Sequence, residues 1–273
     1  MIIKHRPWGG VLLCYNIIMD YLMVFFVVGI GLIFGSFLSV LITRLDRKKG
    51  IISGRSECPH CFHKLSWHDL VPLISFIFLG GKCRYCRARI SLLYPLLEIT
   101  VAVVLIVFFI INGWTLNAHD YYNIVLLVLL VSLVFFDYLY LLLPDKIIII
   151  IGAVALIYNF LYQPNRLTHL FIFGFLFALG FAILYLASKG RAIGFGDVKL
   201  AFIIGLILGY PLGLLAIIFA IWGGALWGLI LMLFGKATRK TALPFGSFLS
   251  ATTIIFIIFS DAIQKKINTT WFL

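Results

Sequence analysis

Eight apolar runs, each bounded by charge or by turn residues, follow one another along this chain and leave little room for a water-soluble core. They cover residues 21–42, 92–111, 122–143, 147–162, 168–187, 198–210, 212–234 and 245–260. About 20 apolar residues is what a helix needs to cross the hydrocarbon of a bilayer. In that medium each backbone polar group must be satisfied inside the segment, which selects helices. Residues 200–234 are too long for one helix, and Gly209, Tyr210 and Pro211 supply a turn within them. The run 198–210 is short for a span. Residues 70–79 are shorter still and read as interfacial or buried. Soluble domains carry about 25% charged residues. Here 12% are charged and 63% apolar, with a mean hydropathy of +1.13, which excludes soluble globular and disordered classes. The expected fold is an all-α polytopic membrane protein with about eight transmembrane helices.

The net charge of +12 suggests nucleic acid in a soluble protein, but here it reads as topology. Placing the N-terminus outside puts 17 of the 22 Lys and Arg residues on inside loops. Ten of them, Arg44, Arg47, Lys48, Lys49, Arg55, Lys64, Lys82, Arg84, Arg87 and Arg89, lie in one loop, 43–89. Lys146, Lys189, Arg191, Lys199, Lys236, Arg239 and Lys240 complete the inside set, against Lys4, Arg6, Arg166, Lys265 and Lys266 outside. Both termini are therefore expected outside, the large loop in the cytoplasm, and the bilayer rather than nucleic acid as partner. Lys4 and Arg6 oppose this orientation, and a start at Met19 removes them; residues 1–18 are then an upstream extension or interfacial segment. The expected division is an extension 1–20, a first transmembrane helix 21–42, a cytoplasmic loop 43–90, helices two to eight over 91–260, and a tail 261–273.

Four of the five cysteines form two knuckles, Cys58-Pro-His-Cys61 and Cys83-Arg-Tyr-Cys86. Each places two thiolates near one point, and two knuckles close a tetrahedral zinc site, with a redox or iron site as the alternative. Disulfides are disfavoured on the cytoplasmic side. His60, His63 and His68 are spare candidate ligands. A four-Cys site has no open position, so its zinc is structural: it folds a loop too small for a core of its own.

Only ten residues are acidic. Asp20, Asp46, Glu57, Asp69, Asp120 and Asp261 fall in loops or at span ends, which leaves Glu98, Asp137, Asp145 and Asp197. A carboxylate within a span is costly and marks a functional candidate. Asp137 and Asp197 both fall near the cytoplasmic side in this topology. Two carboxyls brought together there provide an acid and a base at one pH, as hydrolysis by an activated water requires. Gly194-Phe195-Gly196-Asp197 permits close backbone approach. At this level proton- or ion-coupled transport through an intramembrane Asp pair, and structural ion pairs with Lys199 or helix N-termini, stay open beside catalysis. Asp145 sits with Pro144 and Lys146 in a tight turn, and Glu98 reads as a packing acid paired to an Arg of the loop. The stretch from Trp222 to Gly228 reads as close helix packing through small residues.

Together these segments resemble the prepilin peptidases, or type IV leader peptidases. The resemblance lies in Gly31-Leu-Ile-Phe-Gly35-Ser36-Phe37-Leu38 leading to Arg44-Leu45, the double Cys knuckle followed by Ile90-Ser91 and Tyr94-Pro95-Leu-Leu-Glu98, Asp137 before Leu143-Pro144-Asp145, Gly194-Phe-Gly-Asp197-Val198-Lys199, and Leu243-Pro244-Phe245-Gly246. It covers most of residues 31–250. It implies a GxGD-type membrane aspartyl protease of the bacterial inner membrane. Such an enzyme removes the leader of type IV prepilins or pseudopilins at the cytoplasmic face, between Gly and Phe, in pilus or type II secretion systems. The catalytic aspartates map to Asp137 and Asp197, with Gly194, Gly196, Lys199, Pro144 and Asp145 as supporting motif residues. Members with the four-Cys loop commonly also methylate the new N-terminal amine using S-adenosylmethionine, and Glu98, Gly35 and Ser36 are the candidates for that half. Ser39 and Leu93 stand where the family usually carries Asn and Arg.

Overall fold

The computed structural model describes residues 9–45, 56–114, 116–191, 193–236, 238, 241–260 and 262–263, with the side chains of 9–20 and 43–45 left aside. Residues 1–8 of the extension, Asp46, the basic residues Arg47, Lys48, Lys49, Arg55, Arg239 and Lys240, and Asp261 with nearly all of the tail lie outside the described residues. Among the described residues the regular structure is helical: α1 (Gly9–Leu45), α2 (Ile74–Phe78), α3 (Leu93–Asn112), α4 (Ala118–Tyr140), α5 (Asp145–Tyr162), α6 (Leu167–Ser188), α7 (Phe195–Leu208), α8 (Leu212–Leu233) and α9 (Phe245–Ile258). Six of these helices are long and apolar enough to cross a membrane: α1 over Tyr21–Ile42, α3, α4, α5, α6 and α8. The protein is a multi-pass helical membrane protein. α7 and α9 have 14 residues each, about 21 Å at 1.5 Å per residue, and fall short of the ~30 Å hydrocarbon core.

The chain divides into two compact units, Met1–Trp114 and Thr115–Leu273. In the first, α1 packs along α3. A helix pair in lipid gains nothing from leaving water and must associate through close packing. Gly31 and Gly35 provide it: a Cβ on Gly31 would stand 2.5 Å from Ala102 Cα, and one on Gly35 would run into the backbone of Glu98. The same unit carries the knuckle loop, described from Ser56 onward.

In the second unit α4 packs against α9 and α5, α7 against α5, α6 and α9, and α8 against α9. α4 is enclosed on most sides, with Leu126, Leu127, Leu130 and Leu133 all fully buried. Its start is fixed by a capping box: the Asn117 side chain accepts from the N–H groups of His119 and Asp120, and the Asp120 carboxylate accepts from the Asn117 N–H at 3.0 Å. Its end is fixed by Leu141 in the left-handed region, after which Pro144 leads into α5. On α8, Gly224 and Gly228 are buried while Trp222 and Trp227 are exposed, so the small residues face protein and the indoles face outward.

Candidate functional site

Three helix ends of the second unit meet at one place. Asp137 lies in the last turn of α4, and its side chain is buried. Its Oδ2 accepts the Ser247 backbone N–H at 2.6 Å; the Ser247 hydroxyl lies 3.1 Å from Oδ2 and 2.9 Å from the Val134 carbonyl oxygen, which share its single proton. Ser247 is the third residue of α9, where backbone N–H groups have no partner inside the helix. Gly246 makes this approach possible, since a Cβ there would lie 3.1 Å from Asp137 Cγ and 2.9 Å from Leu143 Cδ1. Asp197, also buried, is the third residue of α7 and accepts the Gly194 N–H at 3.1 Å. A Cβ on Gly196 would meet Leu143 Cβ at 3.1 Å. Leu143 thus fits between the two glycine surfaces of Gly196 and Gly246, and the ends of α4, α7 and α9 close around it. Asp137, beside Gly246, and Asp197, next to Gly196, are thereby brought to one cluster of helix ends.

Lys199 does not neutralise this pair. Its Nζ is 2.7 Å from Asp145 Oδ1 and 5.0 Å from the Phe195 ring centroid, which ties the start of α7 to the start of α5. Among the described residues no cationic side chain pairs with Asp137 or Asp197. The arrangement therefore brings together Asp137, Asp197, Gly194 and Gly196, with Lys199, Pro144 and Asp145 at its border. Sequence reasoning passed over Ser247 and named Leu143 only as part of a motif, without a role. The available signal for Ser247 was its place one residue after Pro244-Phe245-Gly246, where a helix start turns its free N–H groups outward.

The knuckle loop is built from one turn used twice. Cys58 N–H donates to His63 O and Phe62 N–H to Cys58 O; Cys83 N–H donates to Ala88 O and Arg87 N–H to Cys83 O. Phe62 and Arg87, each following a second cysteine, have φ of 56° and 58°. An antiparallel bridge closes each turn, Glu57 with Lys64 and Lys82 with Arg89. The Sγ atoms of Cys58, Cys61, Cys83 and Cys86 all lie within 4.8 Å of one another, and none is in a disulfide. A tetrahedral zinc with Zn–S bonds of ~2.3 Å separates its sulfurs by about 3.8 Å, and Cys58 and Cys86 sulfurs are 3.8 Å apart. Burial opposes ionisation of Cys58, but the backbone N–H groups of Cys61 and His60 outweigh it and lower the thiol to about 7. The histidines stay outside this cluster: His63 stacks on Tyr85 and His68 contacts the Ser66 hydroxyl. Asp69 braces the loop, bonded to Ser66 and paired with Arg84 at 2.7 Å. Burial raises its carboxyl, yet the Ser66 and Arg84 donors bring it down to about 2.

Glu98 is buried in the second turn of α3. Its partner is not the arginine expected from the sequence. Oε2 accepts the backbone N–H of Leu73 at 2.8 Å, and Ser36 lies nearby on α1. Gly35 lies against the Glu98 backbone, so Gly35, Ser36 and Glu98 are neighbours across the α1–α3 seam.

Two family models match the chain, and they fall on its two units. The Bacterial Peptidase A24 N-terminal domain matches residues 30–112, and the Type IV leader peptidase family matches residues 124–229. The chain is 31% identical to a prepilin leader peptidase/N-methyltransferase of Bacillus subtilis over 237 residues, 85% of this chain and 93% of that protein. It is 29% identical to the protein of the same name from Aeromonas salmonicida, over 89% of this chain and 91% of that one. With the protein of that name from Vibrio cholerae it shares 33% identity over 69% of this chain and 78% of that one. No solved structure matches the chain. With both family models in their order on the two units and relatives covered almost end to end, the chain belongs to the type IV leader peptidase family.

Proposed function

We propose that this protein is a membrane aspartyl endopeptidase that removes the leader of type IV prepilins or pseudopilins at a Gly-Phe bond, with Asp137 and Asp197 as its catalytic pair. The observation that carries this reading is the convergence, around Leu143, of the helix ends that bear two buried carboxyls, neither paired with a cation among the described residues. Two such groups hold one proton between them most readily. The ionised carboxyl takes a proton from water as the oxygen attacks the scissile carbonyl. The protonated one gives its proton to the carbonyl oxygen, and collapse of the tetrahedral intermediate returns a proton to the leaving amine. Ser247 holds one oxygen of Asp137, while Gly194, Gly196 and Gly246 let the backbones come close enough. Pro144 and the Asp145–Lys199 pair fix the connection between α4, α5 and α7.

The reading extends to topology. Eight helices cross a bacterial inner membrane, α7 and α9 being the short ones, with both termini outside and the knuckle loop cytoplasmic. The division into 1–20, 21–42, 43–90, 91–260 and 261–273 follows from it. A prepilin, itself basic and then apolar, lays its apolar segment among the spans and presents its cleavage site at the cytoplasmic interface. Cys58, Cys61, Cys83 and Cys86 hold a structural zinc, which the sulfur spacing fits. Methylation of the new N-terminal amine belongs to the first unit, where S-adenosylmethionine supplies the methyl group when bound. Gly35, Ser36 and Glu98 are the residues put forward for that half.

The test is cleavage of a purified prepilin in bilayers by Asp137→Asn and Asp197→Asn proteins. Both variants are expected to be inactive, with losses of about 10³-fold or more. Wild-type cleavage by either removes that residue from the pair.

A further inference from the structure

A cavity of about 660 Å³ opens in the first unit, lined among others by Ser36 and Ser39 of α1, Leu73 and Phe76 of the loop, and Tyr94 and Glu98 of α3. Pockets that bind small molecules have volumes of about 300–1,000 Å³. The polar group of note in its wall is the Glu98 carboxylate, which is only 6% exposed. Burying a carboxylate is expensive unless a positive charge offsets it. Glu98 accepts one neutral donor, the Leu73 N–H, and has no cationic partner among the described residues. Lys64, Arg84 and Arg89 also line the cavity, but none pairs with Glu98, and Arg84 is committed to Asp69. Tyr94 and Phe76 add aromatic rings to the lining, and such rings favour ammonium and sulfonium groups.

The geometry points to a binding site for an organic cation in this cavity, with Glu98 as its counter-charge. None of the residues of the aspartate pair lines this cavity; they belong to the other unit. N-methylation involves two such cations, the methyl donor, with its sulfonium and ammonium, and the α-ammonium of the newly exposed N-terminus. They share one chemistry, a compact organic cation, and Glu98 serves either. The inference rests on the proposed methylation for its choice of ligands.

A purely structural role is the competing account. Leu73 has φ of 58°, an unfavourable conformation for a side-chain-bearing residue, and Glu98 accepts its N–H at the start of α2. Glu98→Gln separates the two roles, because an amide oxygen still accepts that bond but carries no charge.

The experiment is calorimetric titration of the zinc-loaded full chain in detergent. The probes are S-adenosylmethionine, its neutral-sulfur product S-adenosylhomocysteine, and a mature-pilin N-terminal peptide with a free or an acetylated amine. Wild-type protein is expected to prefer at least one cationic probe over its less charged partner by tenfold or more. Glu98→Gln is expected to lose that preference while keeping its zinc content and melting temperature. A preference for S-adenosylmethionine identifies the donor as occupant, and a preference for the free-amine peptide identifies the product. Equal binding of cationic and less charged probes by wild type overturns the inference, as does an undiminished preference in Glu98→Gln. If Glu98→Gln loses its zinc, the wild-type comparison alone decides. A wild-type protein that cleaves prepilin yet shows no cation preference refutes this site without touching the peptidase assignment.

Discussion

The knuckle loop and the aspartate pair concentrate their chemistry by opposite means. The four thiols converge through two copies of one short turn, and Cys58 and Cys86, whose sulfurs are 3.8 Å apart, are 28 residues apart in sequence. Each turn is complete within six residues, so local backbone geometry aims the sulfurs and a metal supplies the binding energy. At the aspartates no local motif is sufficient. Asp137 and Ser247 are 110 residues apart and meet because α4 packs along α9. The first construction is sensitive to loss of its ligand, the second to a methyl group at a helix crossing.

That contrast orders the expected effects. After the two catalytic substitutions, the largest belongs to the metal. Chelation, or Cys58→Ser, should open the 56–90 loop to limited proteolysis, because structural zinc contributes about 10–16 kcal/mol of apparent binding energy in small zinc domains. The melting of the second unit should change little, and equal protease resistance with and without chelator breaks the comparison. Gly246→Ala comes next. Its methyl group would press on Asp137 Cγ and Leu143 Cδ1, so prepilin cleavage should fall about 100-fold, as misplacement of ~1 Å does. Zinc content should stay unchanged. Ser247→Ala removes a hydroxyl shared between Asp137 and the Val134 carbonyl and should lower kcat by at most about tenfold, the equivalent of ~1.4 kcal/mol. An unchanged kcat would show that the backbone N–H alone positions Asp137. The smallest effect is expected from Lys199→Ala. Its pair with Asp145 is substantially exposed, so about 0–1 kcal/mol and at most a fivefold change in cleavage should follow.

Much of this was legible along the chain because the signals were local. Six of the apolar runs became helices of spanning length, and the Cys58–Cys61 and Cys83–Cys86 knuckles converge as their spacing required. Helix ends were harder. The apolar run at 198–210 suggested a helix opening near Asp197, whereas α7 begins at Phe195, capped by Gly194, and stops before Gly209. α1 extends upstream of its apolar run to Gly9, since nothing between Gly10 and Tyr21 interrupts a helix. Tertiary partners were least visible. A hydroxyl within an apolar run gives no sign that it will face Asp137, and Glu98 suggested an arginine because a backbone N–H leaves no mark in sequence. Leu143 was named in a motif, but its role as the side chain packed between Gly196 and Gly246 became visible only in the fold.

The pairing of Asp137 with Asp197 is tested most directly by single-turnover cleavage of a prepilin with Asp197→Asn protein, reconstituted in bilayers with its zinc bound. No product above background is the expected result, while the knuckle loop retains its metal and protease resistance. Leader removal at the wild-type rate would contradict the assignment.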